Sequence, residues 1–234
     1  MEPVDVKICG LSGLDAIEAA LARGATQIGF VHFPASPRHL SLEAMAALRQ
    51  AVGARAETVV VTVDPDDALV DAIATTVQPD WLQLHGSETP ERVAEVARRS
   101  GLKIMKALPV AVAADLSRVP DYAAVADRVL LDAKRPKGAV LPGGNGVAFD
   151  WSLLGGLDPS LAYVLSGGLD AANVGVALSR IRPFGIDVSS GVESAPGVKS
   201  VDLIHRFFDV IDAARSLGPA QAGVAQSPAA GVQP

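Results

Sequence analysis

A (β/α)₈ barrel built as a single domain is the fold class this sequence predicts, and three observations predict it. Short β-rich runs alternate eight times with Ala-rich segments of helical spacing. The apolar residues are 49% of the chain with only 4% aromatic, and they are mostly Ala, Val and Leu, which suits helices packed over buried parallel strands. A length of 234 residues is that of one such TIM barrel. An open doubly wound sheet is the competing architecture, but no GxGxxG follows the first strand.

In chain order the first strand is "VDVKI" (4–8), where Val and Ile alternate with Asp and Lys, followed by a helix-period segment at 14–23. "TQIGFV" (26–31) leads into a helix at 42–52, and the β-branched run "ETVVVTV" (57–63) into one at 67–77. "DWLQL" (80–84) precedes a helix at 90–99. "LKIMKA" (102–107) and "DRVLLD" (127–132) are followed by shorter helical stretches with weaker patterns. "LAYVLS" (161–166) is followed by a helix at 171–180, and "FGIDVS" (184–189) by the last at 201–215. The uncharged stretch "SLGPAQAGVAQSPAAGVQP" is rich in Ala, Gly, Pro and Gln and is expected to be a disordered tail. The domain organisation predicted is therefore a barrel over 1–215 and a tail over 216–234.

Composition narrows the function. The net charge is −6 with both signs interspersed, so no basic face is expected for nucleic acid or an anionic membrane. No run approaches the roughly 18 apolar residues of a membrane span. One cysteine cannot form an internal disulfide, and "MEPVDVKICG" lacks a basic region followed by an apolar one; a cytoplasmic protein with a small-molecule partner is expected. A lone Cys with scattered His and Asp gives no metal-ligand spacing, so no metal is expected.

Alternation then assigns faces. In "VDVKIC" the outward set is Val4, Val6 and Ile8, leaving Asp5, Lys7 and Cys9 inward with Cys9 at the top. The same count places Asp132, His85, Asp64 and Asp187 at or near the C-terminal rim, the face where βα loops of a barrel converge on active sites. Lys7, Asp5 and Arg128 read as inner-layer ion-pair residues, and Lys7, directly below Cys9, is also taken as a substrate-binding candidate together with Arg38, His85 and Asp187.

Two loops carry glycines where a barrel holds phosphate. "LSGGLDAANV", after the seventh strand, offers the backbone of Gly167 and Gly168 before a helix that Asp170 can cap. "DVSSGVESAPG", after the eighth, adds Ser189, Ser190 and Gly191. The sixth loop, 133–148, is long and glycine-rich, and reads as a lid whose Lys134 could meet an anion, while Arg135 and Lys137 read as solvated. In "VHFPASPRHL" prolines stiffen a loop ending in Arg38, whose planar fork suits a carboxylate, a surface salt bridge being the competing reading. His32 and His39 read as loop or packing residues.

These motifs, with "VKICGL", "VTVDPD", "LQLHGSE", "VLLDAK" and "PGGNGVAFDW" in order from about Val4 to Arg206, resemble those of the phosphoribosylanthranilate isomerase family of tryptophan biosynthesis. The resemblance implies an Amadori rearrangement of N-(5-phosphoribosyl)anthranilate to 1-(2-carboxyphenylamino)-1-deoxyribulose 5-phosphate, with no cofactor, by a monomer or homodimer. It implies Cys9 as general base, Asp132 as general acid, Arg38 on the anthranilate carboxylate, Asp187 near the ribose hydroxyls, and the "LSGG" and "DVSSG" loops on the phosphate. His32 departs from the pattern, standing where the family often has an aromatic or apolar residue. Three rivals are weighed. A sugar-phosphate isomerase of histidine biosynthesis would use two aspartates and have no place for Cys9. A class I aldolase would need a Schiff-base lysine, Lys106 or Lys134. A phosphate-binding module would have no use for Cys9 and Asp132 together.

Overall fold

A computed structural model describes residues 4–133, 151–158 and 160–216. Eight parallel strands close into a barrel in sequence order: β1 (Asp5–Cys9), β2 (Gln27–Val31), β3 (Glu57–Thr62), β4 (Trp81–Leu84), β5 (Lys103–Val110), β6 (Arg128–Ala133), β7 (Tyr163–Ser166) and β8 (Gly185–Val188). β8 returns to β1 with Lys7 opposite Asp187, and β1 meets β2 with Cys9 opposite Gly29.

The helices are α1 (Leu14–Ala22), α2 (Leu42–Val52), α3 (Asp67–Ala72), α4 (Pro90–Ser100), α5 (Val119–Ala123), α6 (Val174–Arg180) and α7 (Val201–Ser216). Side-chain oxygens of Ser41, Asp66 and Thr89 accept from the first turns of α2, α3 and α4, which fixes where those helices begin. A π-turn, Ile73–Val77, extends α3, and 3₁₀ turns lie at Ala113–Arg118 and Trp151–Gly156. After β8 the chain forms a small antiparallel hairpin, β9 (Glu193–Ala195) and β10 (Val198–Lys199), that the sequence reading did not include.

The main core lies between strands and helices, and a second cluster of Val59, Trp81, Met105, Ala107, Leu130 and Val164 fills the barrel interior. Below it the N-terminal end is polar: Arg128 lies 3.6 Å from Asp5, and Trp81 Nε1 and Lys103 Nζ donate to Glu57. The inner-layer reading of Asp5 and Arg128 describes that arrangement.

Two expectations change. The helix after β7 begins at Val174, not at 171, because Asp170 instead accepts from the turn N–H groups of Ala172 and Asn173. Asp64 does not point into the barrel: Val59 is interior and Val61 and Val63 line the cleft, so Asp64 has the opposite parity, and its carboxylate accepts from Ser87 N. Lys7, read as an inner-layer ion-pair residue, pairs with Asp187 on the adjoining strand β8. The loop at 133–148 with Lys134, Arg135 and Lys137 lies, from residue 134 on, outside the described residues, as does the tail from 217.

Candidate active site

A cleft of about 300 Å³ opens at the C-terminal ends of the strands. Its floor is an apolar group of Cys9, Val31 and Val61. Cys9 ends β1, 7% exposed, and Gly29 on the neighbouring strand leaves room for its side chain and that of Lys7: a Cβ there would lie 3.2 Å from Cys9 Sγ and 3.2 Å from Lys7 Cε. Gly10 then turns the chain with φ +76°, a conformation glycine adopts without strain.

Beneath Cys9 lies a buried polar chain. Lys7 Nζ donates to Asp187 Oδ1 at 3.0 Å, and Ser166 Oγ donates to Asp187 Oδ2 at 3.2 Å. Burial opposes the lysine charge, but Asp187 and Cys9 beside it hold its pKa above the usual value. The Cys9 thiol is itself pushed up by burial, only partly offset by the Lys7 ammonium. Asp187 and Ser166 line the cleft; Lys7 is 1% exposed and does not, so it supports Asp187 and Cys9 from below instead of facing a ligand.

Across the cleft, Asp132 near the end of β6 and His85 just past β4 come together, His85 Nε2 lying 3.5 Å from Asp132 Oδ2. Gln83, two residues back on the same strand face, meets the other ring nitrogen, Nδ1, at 3.1 Å. The rim opposite the apolar floor is polar: Gly167, Gly168, Ser189 and Ser190 all line it. Gly167 and Gly168 have φ of +98° and +65°, which explains the pair of glycines. Gly191 is not in the lining. It bridges to Asp170, and a side chain there would collide with the Leu169 carbonyl, so it lets the two loops close on each other.

Arg38 reaches the cleft from the β2–α2 loop with Phe33 near it. Its Nε and Nη2 each donate to Glu193 at 2.6 Å. The ion pair found for Arg38 is thus with a buried carboxylate and is not the surface salt bridge weighed for it, and it leaves the guanidinium at the cleft. His32 and His39 pack together with ring centroids 4.9 Å apart, as loop residues.

Comparison with known proteins identifies the frame around this cleft. The protein-family model described as N-(5'phosphoribosyl)anthranilate (PRA) isomerase matches residues 6–210. The chain belongs to the phosphoribosylanthranilate isomerase family. It is 58% identical over 213 residues to the N-(5'-phosphoribosyl)anthranilate isomerase of Azorhizobium caulinodans, covering 91% of this chain and 93% of that one. The crystal structure of phosphoribosyl anthranilate isomerase from Thermotoga maritima aligns with a TM-score of 0.81 at 35% identity, covering 90% of this chain and all of that one. Another solved isomerase, in complex with reduced 1-(o-carboxyphenylamino)-1-deoxyribulose 5-phosphate, aligns with a TM-score of 0.78 at 34% identity and the same coverage.

For a phosphoribosylanthranilate isomerase, the structure gathers most of the residues singled out from sequence: Cys9, Asp132, Arg38, His85, Asp187, Gly167, Gly168, Ser189 and Ser190 share one cleft. Sequence reasoning missed Phe33 and Gln83 in the lining and Glu193 and Lys199 behind it. Gln83 had a signal, since the alternation that turns His85 inward turns Gln83 inward too. Glu193 and Lys199 flank a Pro-Gly turn, and reading it as a hairpin would have brought them side by side.

Proposed function

We propose that this cleft converts N-(5-phosphoribosyl)anthranilate to 1-(2-carboxyphenylamino)-1-deoxyribulose 5-phosphate, with Asp132 as general acid and Cys9 as general base. The observation that carries the assignment is that one cleft holds a thiol and a carboxylate on different strands, an arginine at one side, and the paired loops after β7 and β8. The substrate has matching groups: a ribose in the middle, an aryl carboxylate for Arg38, and a phosphate for Gly167, Gly168, Ser189 and Ser190. Phe33, Val31 and Val61 supply apolar surface for the aryl ring.

In the first step Asp132 protonates the ribose ring oxygen as the C1′–O bond breaks, and the nitrogen lone pair forms the Schiff base. Cys9 then removes the proton from C2′, its electrons neutralise the iminium nitrogen, and the resulting enol amine tautomerises to the ketone. Atoms and charge balance without a cofactor. Asp187, which accepts from Lys7 and Ser166, receives the ribose hydroxyls in this reading. The setting is the cytoplasm, which a free Cys9 thiol fits.

The aldolase alternative loses its described candidate. Lys106 is 1% exposed, does not line the cleft, and spends its protons on Leu84 O, Gly86 O and Glu88 Oε2 at 3.3, 2.9 and 2.8 Å. The deciding experiment generates phosphoribosylanthranilate in situ and follows loss of its fluorescence with and without protein. A protein-dependent loss that borohydride does not block is expected; a rate equal to the blank refutes the activity.

A further inference from the structure

The guanidinium assigned to the anthranilate carboxylate is already gripped from behind. Glu193 Oε1 accepts from Arg38 Nε and from Lys199 Nζ, each at 2.6 Å. Oε2 accepts from Arg38 Nη2 at 2.6 Å and from Gly197 N at 3.2 Å. The Glu193 and Lys199 side chains are only 4% and 2% exposed, and neither lines the cleft. Arg38, at 21%, does. Its Nε–Nη2 edge is consumed by Glu193, while among the described residues its Nη1 makes no hydrogen bond.

The grip is built into the backbone. Gly197, at φ +81°, completes the turn between β9 and β10, and a Cβ there would lie 2.5 Å from the Pro37 carbonyl oxygen. A Cβ on Gly10 would lie 2.5 Å from Arg38 Cδ, so the arginine stem crosses Gly10 directly beside Cys9. Lys199 also donates to Ser189 O at 2.9 Å and to Ser189 Oγ at 3.2 Å, and Ser189 Oγ donates to the Cys9 carbonyl at 3.1 Å.

We propose that Glu193 is a positioning residue for the rearrangement: it holds Arg38 by the Nε–Nη2 edge so that the opposite edge is presented to the substrate's aryl carboxylate, and Lys199 ties that hold to Ser189 of the phosphate loop. The proposal rests on the assignment of Arg38 to that carboxylate. A buried carboxylate behind an anion-binding arginine lowers the positive charge that attracts the ligand. Its gain is geometric, since a guanidinium fixed along one edge loses less freedom when it meets a planar anion.

This opposition gives the test its sign. Glu193→Gln keeps the shape, removes the negative charge and breaks the two-point acceptance. If Glu193 only neutralised charge, ligands carrying the carboxylate would bind Glu193→Gln as well as wild type or better. Positioning predicts the reverse: an affinity loss of about tenfold for the reduced product analogue 1-(o-carboxyphenylamino)-1-deoxyribulose 5-phosphate, with a matching rise in KM and kcat within about twofold. The same analogue without the aryl carboxylate, measured by calorimetry, loses less than about twofold, and in an Arg38→Ala background Glu193→Gln costs nothing further. Equal losses for both analogues would mean a general collapse of the loop after β8 and would overturn the proposal, as would unchanged or tighter binding. Should Glu193→Gln not fold, Glu193→Asp, which keeps the charge but withdraws it, is expected to give the same split between analogues, and equal effects on both overturn the idea. Wild-type protein that turns over substrate while Glu193→Gln is indistinguishable from it defeats only the positioning role; wild-type protein without turnover defeats the catalytic assignment, which the fluorescence assay reads separately.

Discussion

At the Cys9 thiol two influences oppose each other: burial resists a thiolate, and the Lys7 ammonium favours one without overcoming it. A base with a raised pKa is in its working form only to a small extent at neutral pH, so in the free enzyme kcat/KM is expected to climb with pH through and beyond about 8.5, the ordinary thiol value. A profile already flat at pH 7 would contradict this. Cys9→Ser preserves volume but offers a far weaker acid, and its kcat is expected to fall by about 10²-fold or more with folding intact; at least half of wild-type kcat would remove the base role. Asp132→Asn keeps shape without a transferable proton and is expected to cost about 10²–10⁴-fold in turnover, with product-analogue binding retained. Arg38→Ala removes charge-assisted hydrogen bonds and is expected to weaken substrate by about 1.5–3 kcal/mol, read as KM, with unchanged affinity counting against it.

At the level of elements, the loops after β7 and β8 act together because their backbones touch: Asp170 bridges to Gly191, and Gly191 leaves room for the Leu169 carbonyl. Gly168 combines φ +65° with a place in the lining, so Gly168→Val strains the turn and covers the proposed anion site. Its KM is expected to rise more than that of Ser189→Ala or Ser190→Ala, and inorganic phosphate is expected to compete in wild type; a Gly168→Val enzyme with ordinary KM would remove the loop from the site. All eight strands were legible because alternation and β-branched runs are local signals. α6 starts late because Asp170 satisfies turn amides first, a competition between side-chain and helix hydrogen bonding that spacing does not reveal. The hairpin of β9 and β10 escaped because its strands have three and two residues, too short for any period to register.

Across the whole molecule, α7 closes the ring. Ile204, Phe207, Phe208 and Ile211 are buried, and Arg215 Nη2 donates to Val4 O at 2.9 Å, pinning the last helix to the entry of β1. Truncation after Ser216 is therefore expected to leave melting temperature and turnover within error of the full chain, whereas truncation before Arg215 is expected to lower the melting temperature. Acid stability tests the Arg38–Glu193–Lys199 cluster: burial works against the Glu193 charge, but Arg38 and Lys199 hold its pKa down at about 2 from an ordinary 4.5. A depressed carboxylate contributes stability that is present above about pH 4.5 and is lost as pH falls through about 2. The melting-temperature gap between wild type and Glu193→Gln is expected to close over that window, and a constant gap would show that the charge contributes nothing.

Sequence by itself determined the barrel, its strand order and the parity that turns Cys9, His85, Asp132 and Asp187 inward, because hydrophobic periodicity and side-chain alternation are properties of short segments. The glycine pair at 167 and 168 was legible as a tight turn, since glycine takes up the positive φ of +98° and +65° found there without strain. Tertiary structure alone decided which partners those residues have. Lys7 faces Asp187 because β1 and β8 are neighbours only when the ring closes, and residues 180 apart become a 3.0 Å pair. Arg38 and Glu193, 155 residues apart, meet for the same reason. Burial and partnership set the charge of a side chain, and both depend on elements that are distant in the chain and adjacent only once it has folded.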